Sequence, residues 1–456
     1  MSTETRLREG LRVLAGQAPP AAVPEDLFDQ AHNRARQRRA VRGIAVVVTL
    51  LTLTVGLAFR PGGTSMPGDP TSVTVGLPRK LHVPPLRTAH VGQSPPGTAA
   101  AIFGGTATTD DWNEGRFAVV AAGSDRYRVF NEFTYTAPGF DALLSPDGDL
   151  VARNRTVRSL RPDRRVSIAL PGDPRAFSPD GTLLVYETGD GTTYIDGVQH
   201  RESRIAVYDL TSRSEIASID NSDNLSAPVV ALSRDNSRLA VQVRDQIRLY
   251  HLDSPNPAPY AIVALDAETL AGPGAWLPDG RSFVTARRGS DGTWRLVPHN
   301  ADTGAAQPAS PFPNVVDARY LRVIGWRADG AAIAIVAVPR AGALPALLFQ
   351  DKITWVPYPD SNTARARLVA LAPNTFDPTV LLETPDGVSD LDVAADLAIS
   401  GQFRTSGSPD YGPPSPFFLA AGGVLMLLVG VPLLWLVLRV RRRVTERKAR
   451  AAPAIG

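Results

Sequence analysis

Cysteine is absent from all 456 residues, methionine occurs three times and histidine six. Without cysteine there is neither a disulfide framework nor a thiolate-ligated zinc site, and the compartment stays open. The histidines, His32, His82, His90, His200, His251 and His299, are isolated in sequence. None forms the His-x-x-x-His or His-Glu pairing of a metal site, and a lone histidine in a strand, such as His251, reads as structural. No Gly-x-Ser-x-Gly elbow occurs, so hydrolase chemistry of that type is excluded. Helical periodicity is nearly missing from the middle of the chain, and long apolar runs are confined to two places near its ends. No catalytic, metal-binding or cofactor-binding residue is expected.

What the chain has in quantity is proline (40) and glycine (38), and they are organised. Ser-Pro-Asp-Gly stands at Ser145–Gly148 and again at Ser178–Gly181, with looser copies at Ser233–Asn236, Leu277–Gly280 and Arg327–Gly330. In each copy proline pre-sets φ, the aspartate bonds back to the backbone, and glycine takes the left-handed conformation that lets two strands pair. Asp147 with Gly148, Asp180 with Gly181, Asp235 with Asn236, Asp279 with Gly280 and Asp329 with Gly330 are therefore structural turn residues. Apolar, β-branched runs follow the turns, as in Leu183–Tyr186, Leu239–Val243, Phe283–Thr285 and Ala332–Val336. A second strand follows at Arg204–Leu210, Gln246–Leu252, Thr293–Val297 and Ala366–Leu371. The turn aspartates lie 33, 55, 44 and 50 residues apart, near the length of a four-stranded propeller blade.

These turns resemble the WD40-like repeats of TolB and related bacterial propeller proteins over residues 97–404, without the Trp-Asp pairs of eukaryotic WD40 chains. The resemblance implies an all-β fold, a propeller at residues 99–404, and leaves function open. Five turns account for five blades. The strands near Ala100–Phe103, Phe117–Ala121, Tyr127–Phe130 and Leu391–Ala398 supply the rest, six blades if the two ends share one and seven if they do not. Sharing closes the ring and hides its edge strands.

Two apolar segments flank the propeller as expected transmembrane helices. Gly43–Phe59 is uncharged over 17 residues, roughly 25 Å of helix, and Phe417–Leu438 is uncharged over 22. Arg34, Arg36, Arg38, Arg39 and Arg42 precede the first, and seven basic residues from Arg439 to Arg450 follow the second. The positive-inside rule then places both tails, 1–42 and 439–456, in the cytoplasm and the propeller outside the plasma membrane. The tails carry 15 basic and 6 acidic residues, so their excess accounts for the net +3 of the chain, and the high pI carries no implication of nucleic-acid binding. An uncleaved signal anchor fits the long leader better than a cleaved signal peptide. Residues 60–98 and 405–416 are rich in proline, glycine and serine and are expected as extended stalks.

Within the N-terminal tail, Thr3–Ala15 places Leu7, Leu11 and Leu14 on one helical face, a face that needs a partner or a membrane surface. The arrangement resembles the cytosolic stubs of actinobacterial membrane proteins that partner extracytoplasmic-function sigma factors, without the His-x-x-x-Cys-x-x-Cys of their zinc-containing form. That resemblance implies a cytosolic regulator bound at residues 1–33. The acidic group Asp110, Asp111 and Glu114 reads as a solvated loop or a calcium site, and Gly289–Trp294 as a hairpin with a packed tryptophan. Two function classes follow: a binding or sensing module whose propeller recognises an envelope ligand or protein, and an envelope scaffold or accessory subunit of a membrane complex without a signalling role.

Overall fold

A computed structural model describes residues 74–108, 115–131, 136–164, 166–195, 198–221, 228–307, 311–342 and 362–413, together with several helical positions between 428 and 443. The tail bearing Leu7, Leu11 and Leu14, the apolar segment 43–59, most of 417–438, and Asp110, Asp111 and Glu114 lie outside the described residues.

Proline-interrupted, β-branched sequence with a turn every few residues produces short antiparallel strands, and here they form a six-bladed propeller. Blade 2 holds β5 (Ala142–Leu144), β6 (Leu150–Arg153), β7 (Thr156–Ser159) and β8 (Ser167–Ala169). Blade 3 holds β9 (Asp173–Phe177), β10 (Leu183–Ile195), β11 (Val198–Asp209) and β12 (Ser214–Asp220). Blade 4 holds β13 (Val230–Leu232), β14 (Arg238–Val243), β15 (Gln246–His251) and β16 (Pro259–Ala264). Blade 5 has β17 (Glu268–Leu270), β18 (Ser282–Arg288) and β19 (Trp294–Asn300), with a bridge from Trp294 to Val315 at its outer edge. Blade 6 holds β20 (Tyr320–Trp326), β21 (Ala332–Pro339), β22 (Thr363–Leu371) and β23 (Thr379–Glu383).

Blade 1 is built from both ends of the propeller. The late strand β24 (Asp390–Val393) pairs with β2 (Ala99–Gly104), which is followed by β3 (Phe117–Ala121) and β4 (Tyr127–Phe130). This settles the count at six. The stretch Leu391–Ala398, expected to be strand throughout, divides: after β24 the chain turns into helix α1 (Ala395–Ile399). Its residues, Ala-Asp-Leu-Ala-Ile, are mostly good helix formers, and the turn brings Ala395, Asp396 and Ile399 to the channel.

Strand alternation decides which blade each side chain packs against. In β14, Leu239, Val241 and Val243 join the layer shared with blade 3, whereas Ala240 joins the layer shared with blade 5. In β21, Ile333 and Ile335 face the blade 1 side while Ala332, Ala334 and Val336 face the blade 5 side. The core is thus a ring of layers between neighbouring blades, alternating bulky and small side chains. Each fully buried isoleucine or leucine contributes roughly 1.5–3 kcal/mol.

The proline-rich segments flanking the propeller are extended, as their sequence demands, but where described they are docked, which corrects the reading of free stalks. Strand β1 (Leu77–Pro78) pairs in parallel with β25 (Phe403–Arg404). Leu77, Leu81 and Val91 are buried in the same apolar layer as blade 1. The outer edge of β4 is covered from both sides: the Val91 amide donates to the Val129 carbonyl at 3.0 Å and the Tyr127 amide to the Asp410 carbonyl at 2.8 Å. Buried arginines complete the dock. Arg128 donates to the Ser94 carbonyl at 3.0 Å and the Asp410 carbonyl at 2.9 Å, and Arg116 to the Pro85 carbonyl at 2.7 Å. Proline fixes the extended backbone without supplying an amide, and the arginines take its carbonyls.

Candidate binding site in the central channel

All five predicted turns close in the same way. The fourth residue of each donates its amide to the first residue's carbonyl, at 2.8 Å for Gly148 and at 2.9–3.0 Å for Gly181, Asn236, Gly280 and Gly330. Those five residues all have positive φ, from 60° at Asn236 to 82° at Gly330. Each aspartate accepts the backbone amide two residues on, as Asp147 does from Asp149 at 3.0 Å and Asp279 from Arg281 at 2.8 Å. Where serine leads the turn, its Oγ donates to the aspartate and accepts an amide from the next strand: Ser145 Oγ lies 2.5 Å from Asp147 and 2.8 Å from the Leu150 nitrogen. Leu277 and Arg327 lack that oxygen, yet their turns keep the same backbone geometry. The aspartate and the left-handed residue are the parts the turn requires.

Burial pushes the Asp180 carboxyl up, but bonds from Ser178, Thr182 and Asn236 outweigh it and hold it below the usual carboxylate range. For Asp235 the bond from Ser233 is the leading cause of a similar lowering. These carboxylates are committed to the turns, Asp180 both to its own and, through Asn236 at 2.8 Å, to the next.

The turns connect the innermost strand of each blade to the next, so all of them lie on one face around the central channel. A cavity of about 190 Å³ opens there. Its rim carries the second residues of four turns, Pro146, Pro179, Arg234 and Pro278, together with Asp396 of α1. Deeper in, its walls include Phe177, Leu232, Trp276, Ile324 and Trp326. Both tryptophan N–H groups are already bonded, Trp276 to the Ala231 carbonyl at 3.0 Å and Trp326 to the Gly274 carbonyl at 2.8 Å. The rings therefore present apolar surface to the cavity.

Arg322 and Asp392 line the buried end. They are paired at 3.1 Å, and the other Asp392 oxygen accepts the Leu144 amide at 2.9 Å. Arg322 also donates to the carbonyls of Gly139 at 2.7 Å and Leu391 at 2.9 Å, so blades 6, 1 and 2 are tied together at this point. Burial raises the Asp392 carboxyl above its ordinary value, and the Arg322 guanidinium partly offsets that. Asp396 at the rim is also raised, first by burial and then by the neighbouring Asp147 charge. Arg175, the cavity-lining cation of blade 3, is taken by Glu187 at 2.7 Å.

The turn residues named from the sequence are thus brought onto one face, but they frame the site rather than form its lining. Arg234, Trp276, Arg322, Trp326 and Asp392 were not singled out as binding residues. One signal was present: the second turn position, proline in three copies, faces the channel, so Arg234 is a change of lining and not merely a degraded repeat.

Elsewhere, His299 is buried in blade 5 with Nε2 2.9 Å from Glu268 and Nδ1 3.2 Å from the Gly304 carbonyl. Thr285 and Arg287 also donate to Glu268. Burial raises the Glu268 carboxyl, but its bonds from His299, Thr285 and Arg287 bring it below the usual range. His251 stacks on Tyr260 with ring centroids 4.2 Å apart. Gly289–Trp294 is a tight hairpin, Gly292 donating to the Gly289 carbonyl at 3.0 Å, and Trp294 is buried. Among the described residues no group of three or more metal-ligating side chains is assembled.

No family model matches the chain, and no curated protein does. Solved structures with a similar fold include a protein assigned as TolB from Agrobacterium tumefaciens, at 14% identity and TM-score 0.37, covering 64% of this chain and 90% of that one. TolB from Acinetobacter baumannii is similar at 14% identity and TM-score 0.34, covering 63% and 66%. A functionally unknown protein from Desulfotomaculum acetoxidans is similar at 10% identity and TM-score 0.37, covering 64% and 99%. The propeller assignment itself rests on the strand order.

Proposed function

We propose that this chain is a non-catalytic binding module, anchored in the plasma membrane by segments 43–59 and 417–438, whose channel mouth recognises an envelope ligand or protein. The observation that carries the reading is the cavity on the turn face: apolar walls, a closed polar end and a charged rim, the composition of a recognition site.

Among the described residues no helix is long and apolar enough to cross a membrane. The anchoring rests instead on sequence, supported by the helical positions within the second segment. Leu428, Val431, Trp435, Leu436 and Leu438 are exposed there, and the Arg439 guanidinium lies 4.9 Å from the centre of the Trp435 ring. An exposed apolar helix ending in an aromatic–arginine pair suits a lipid environment and its interface.

A sensing role, in which residues 1–33 carry the bound state to a sigma factor or other cytosolic regulator, draws support from blade 1. Its innermost strand β24 supplies Asp392 to the cavity, and its outermost strand β4 holds the segments that lead toward both tails. The test is affinity purification from solubilised membranes of the full chain, of Arg234→Trp, and of a chain lacking residues 1–33. An envelope partner lost from Arg234→Trp and a cytosolic regulator lost on truncation are the expected results. The same envelope proteins retained by all three would overturn the reading and leave the scaffold.

A further inference from the structure

Resting on the reading of the channel as a recognition site, we infer that the cavity takes a small monocarboxylic acid with a flat or branched apolar body and a neutral oxygen acceptor at its far end. The closed end supplies a donor with nothing to donate to. Arg322 uses both Nη atoms, on Gly139, Leu391 and Asp392, but its buried Nε–H has no acceptor among the described residues. An unmet buried donor is costly, so an acceptor that reaches it gains. A second carboxylate is disfavoured there because Asp392 already holds that guanidinium. The far end of the ligand is therefore a carbonyl or ether oxygen.

The tryptophan walls offer a ligand no free donor, since both indole N–H groups are satisfied within the protein. At the mouth the only rim cation among the described lining residues is Arg234, which is exposed and pairs with no described carboxylate. It stands on blade 4, where three other blades place proline. Asp396 stands on α1, where its amide donates to the Pro146 carbonyl at 3.0 Å beside the blade 2 turn, two blades away. A ligand carboxylate is drawn to the Arg234 side and repelled from the other, so the two charges set its orientation. The volume, about 190 Å³, is below that of a drug-sized site and suits one substituted ring.

The test is isothermal titration of the full chain in lipid nanodiscs with three probes: 4-acetylbenzoate, its neutral amide, and 4-ethylbenzoate, which lacks the distal oxygen. The acid should bind, the amide about tenfold or more weakly because it loses a charge-assisted bond, and 4-ethylbenzoate about fivefold more weakly because Nε–H stays unpaired. Arg234→Gln, an exposed substitution whose melting temperature should be unchanged, should erase the difference between acid and amide while keeping that between acetyl and ethyl. Equal binding of the three probes, an acid–amide difference that persists in Arg234→Gln, or no binding of any probe would overturn the ligand class. Loss of the envelope partner from Arg234→Trp under any of those outcomes would leave the channel reading standing.

Discussion

Gly148 and Gly181 occupy the same place in two nearly identical turns, with φ of 78° and 72°. Their surroundings differ. A Cβ on Gly181 would meet nothing closer than Pro146 Cδ at 3.5 Å, whereas one on Gly148 would lie 2.0 Å from the Ala99 carbonyl oxygen of the neighbouring blade. Gly181→Ala should therefore cost about 1–2 kcal/mol, the penalty of the left-handed conformation alone. Gly148→Ala should cost more than about 3 kcal/mol, because backbone must also move. Urea melts of the two variants check this, and equal losses would contradict the inter-blade contact. The conformational need for glycine was legible in the Ser-Pro-Asp-Gly motif. The contact with Ala99 was not, since nothing local places those two residues together. Arg234 and His299 illustrate the same divide: one read as a broken repeat and the other as an isolated histidine, until folding brought the channel to the first and Glu268 to the second.

At the scale of elements, the strands after each turn were readable from apolar runs, and their pairing followed from the turns. The flanking segments were not readable. Proline-rich sequence predicts an extended chain, but whether it lies free or docks depends on side chains hundreds of residues away. Arg404, 8% exposed, donates to the carbonyls of Ala121, Ala122 and Ser124 and to Asp125 at 2.7 Å. Arg404→Ala would leave these acceptors and the Asp125 charge without their donor, at a cost of about 3–5 kcal/mol. Hydrogen exchange should then show residues 76–80 and 402–407 losing protection before the inner strands of blades 3 and 4. Unaltered protection there would mean these flanking segments are held by their apolar residues alone. The β10–β11 hairpin runs beyond its apolar stretches Leu183–Tyr186 and Arg204–Leu210: past a register shift between Thr188 and Gly191 it continues to Ile195 and Val198, through sequence with little apolar content.

At the scale of the molecule, the ring is closed by one four-residue strand, β24, whose partners Ala101–Gly104 precede it by nearly the whole propeller. Leu391 is fully buried within the largest apolar layer. Leu391→Asp places an unpaired charge there and opens two strand edges at once. The expected outcome is loss of the folded ring, with β14 in the blade across the channel deprotected along with β2 in hydrogen exchange. A propeller that kept protection in blades 3 to 5 after this change would behave as a stack of independent units, and closure would not govern its stability.

The sequence by itself determined the all-β class, the repeat, the turn residues and the preference for a shared closing blade, because each follows from φ restrictions, β-branching and the need to hide strand edges. Six blades rather than seven, the docking of the proline-rich segments and the position of the binding cavity were decided only in the tertiary structure. The cavity is made by a few residues from most of the inner strands, from the turns that follow them and from α1, spread from Leu143 to Ile399. Such residues have no common spacing, and only closure of the ring makes them neighbours.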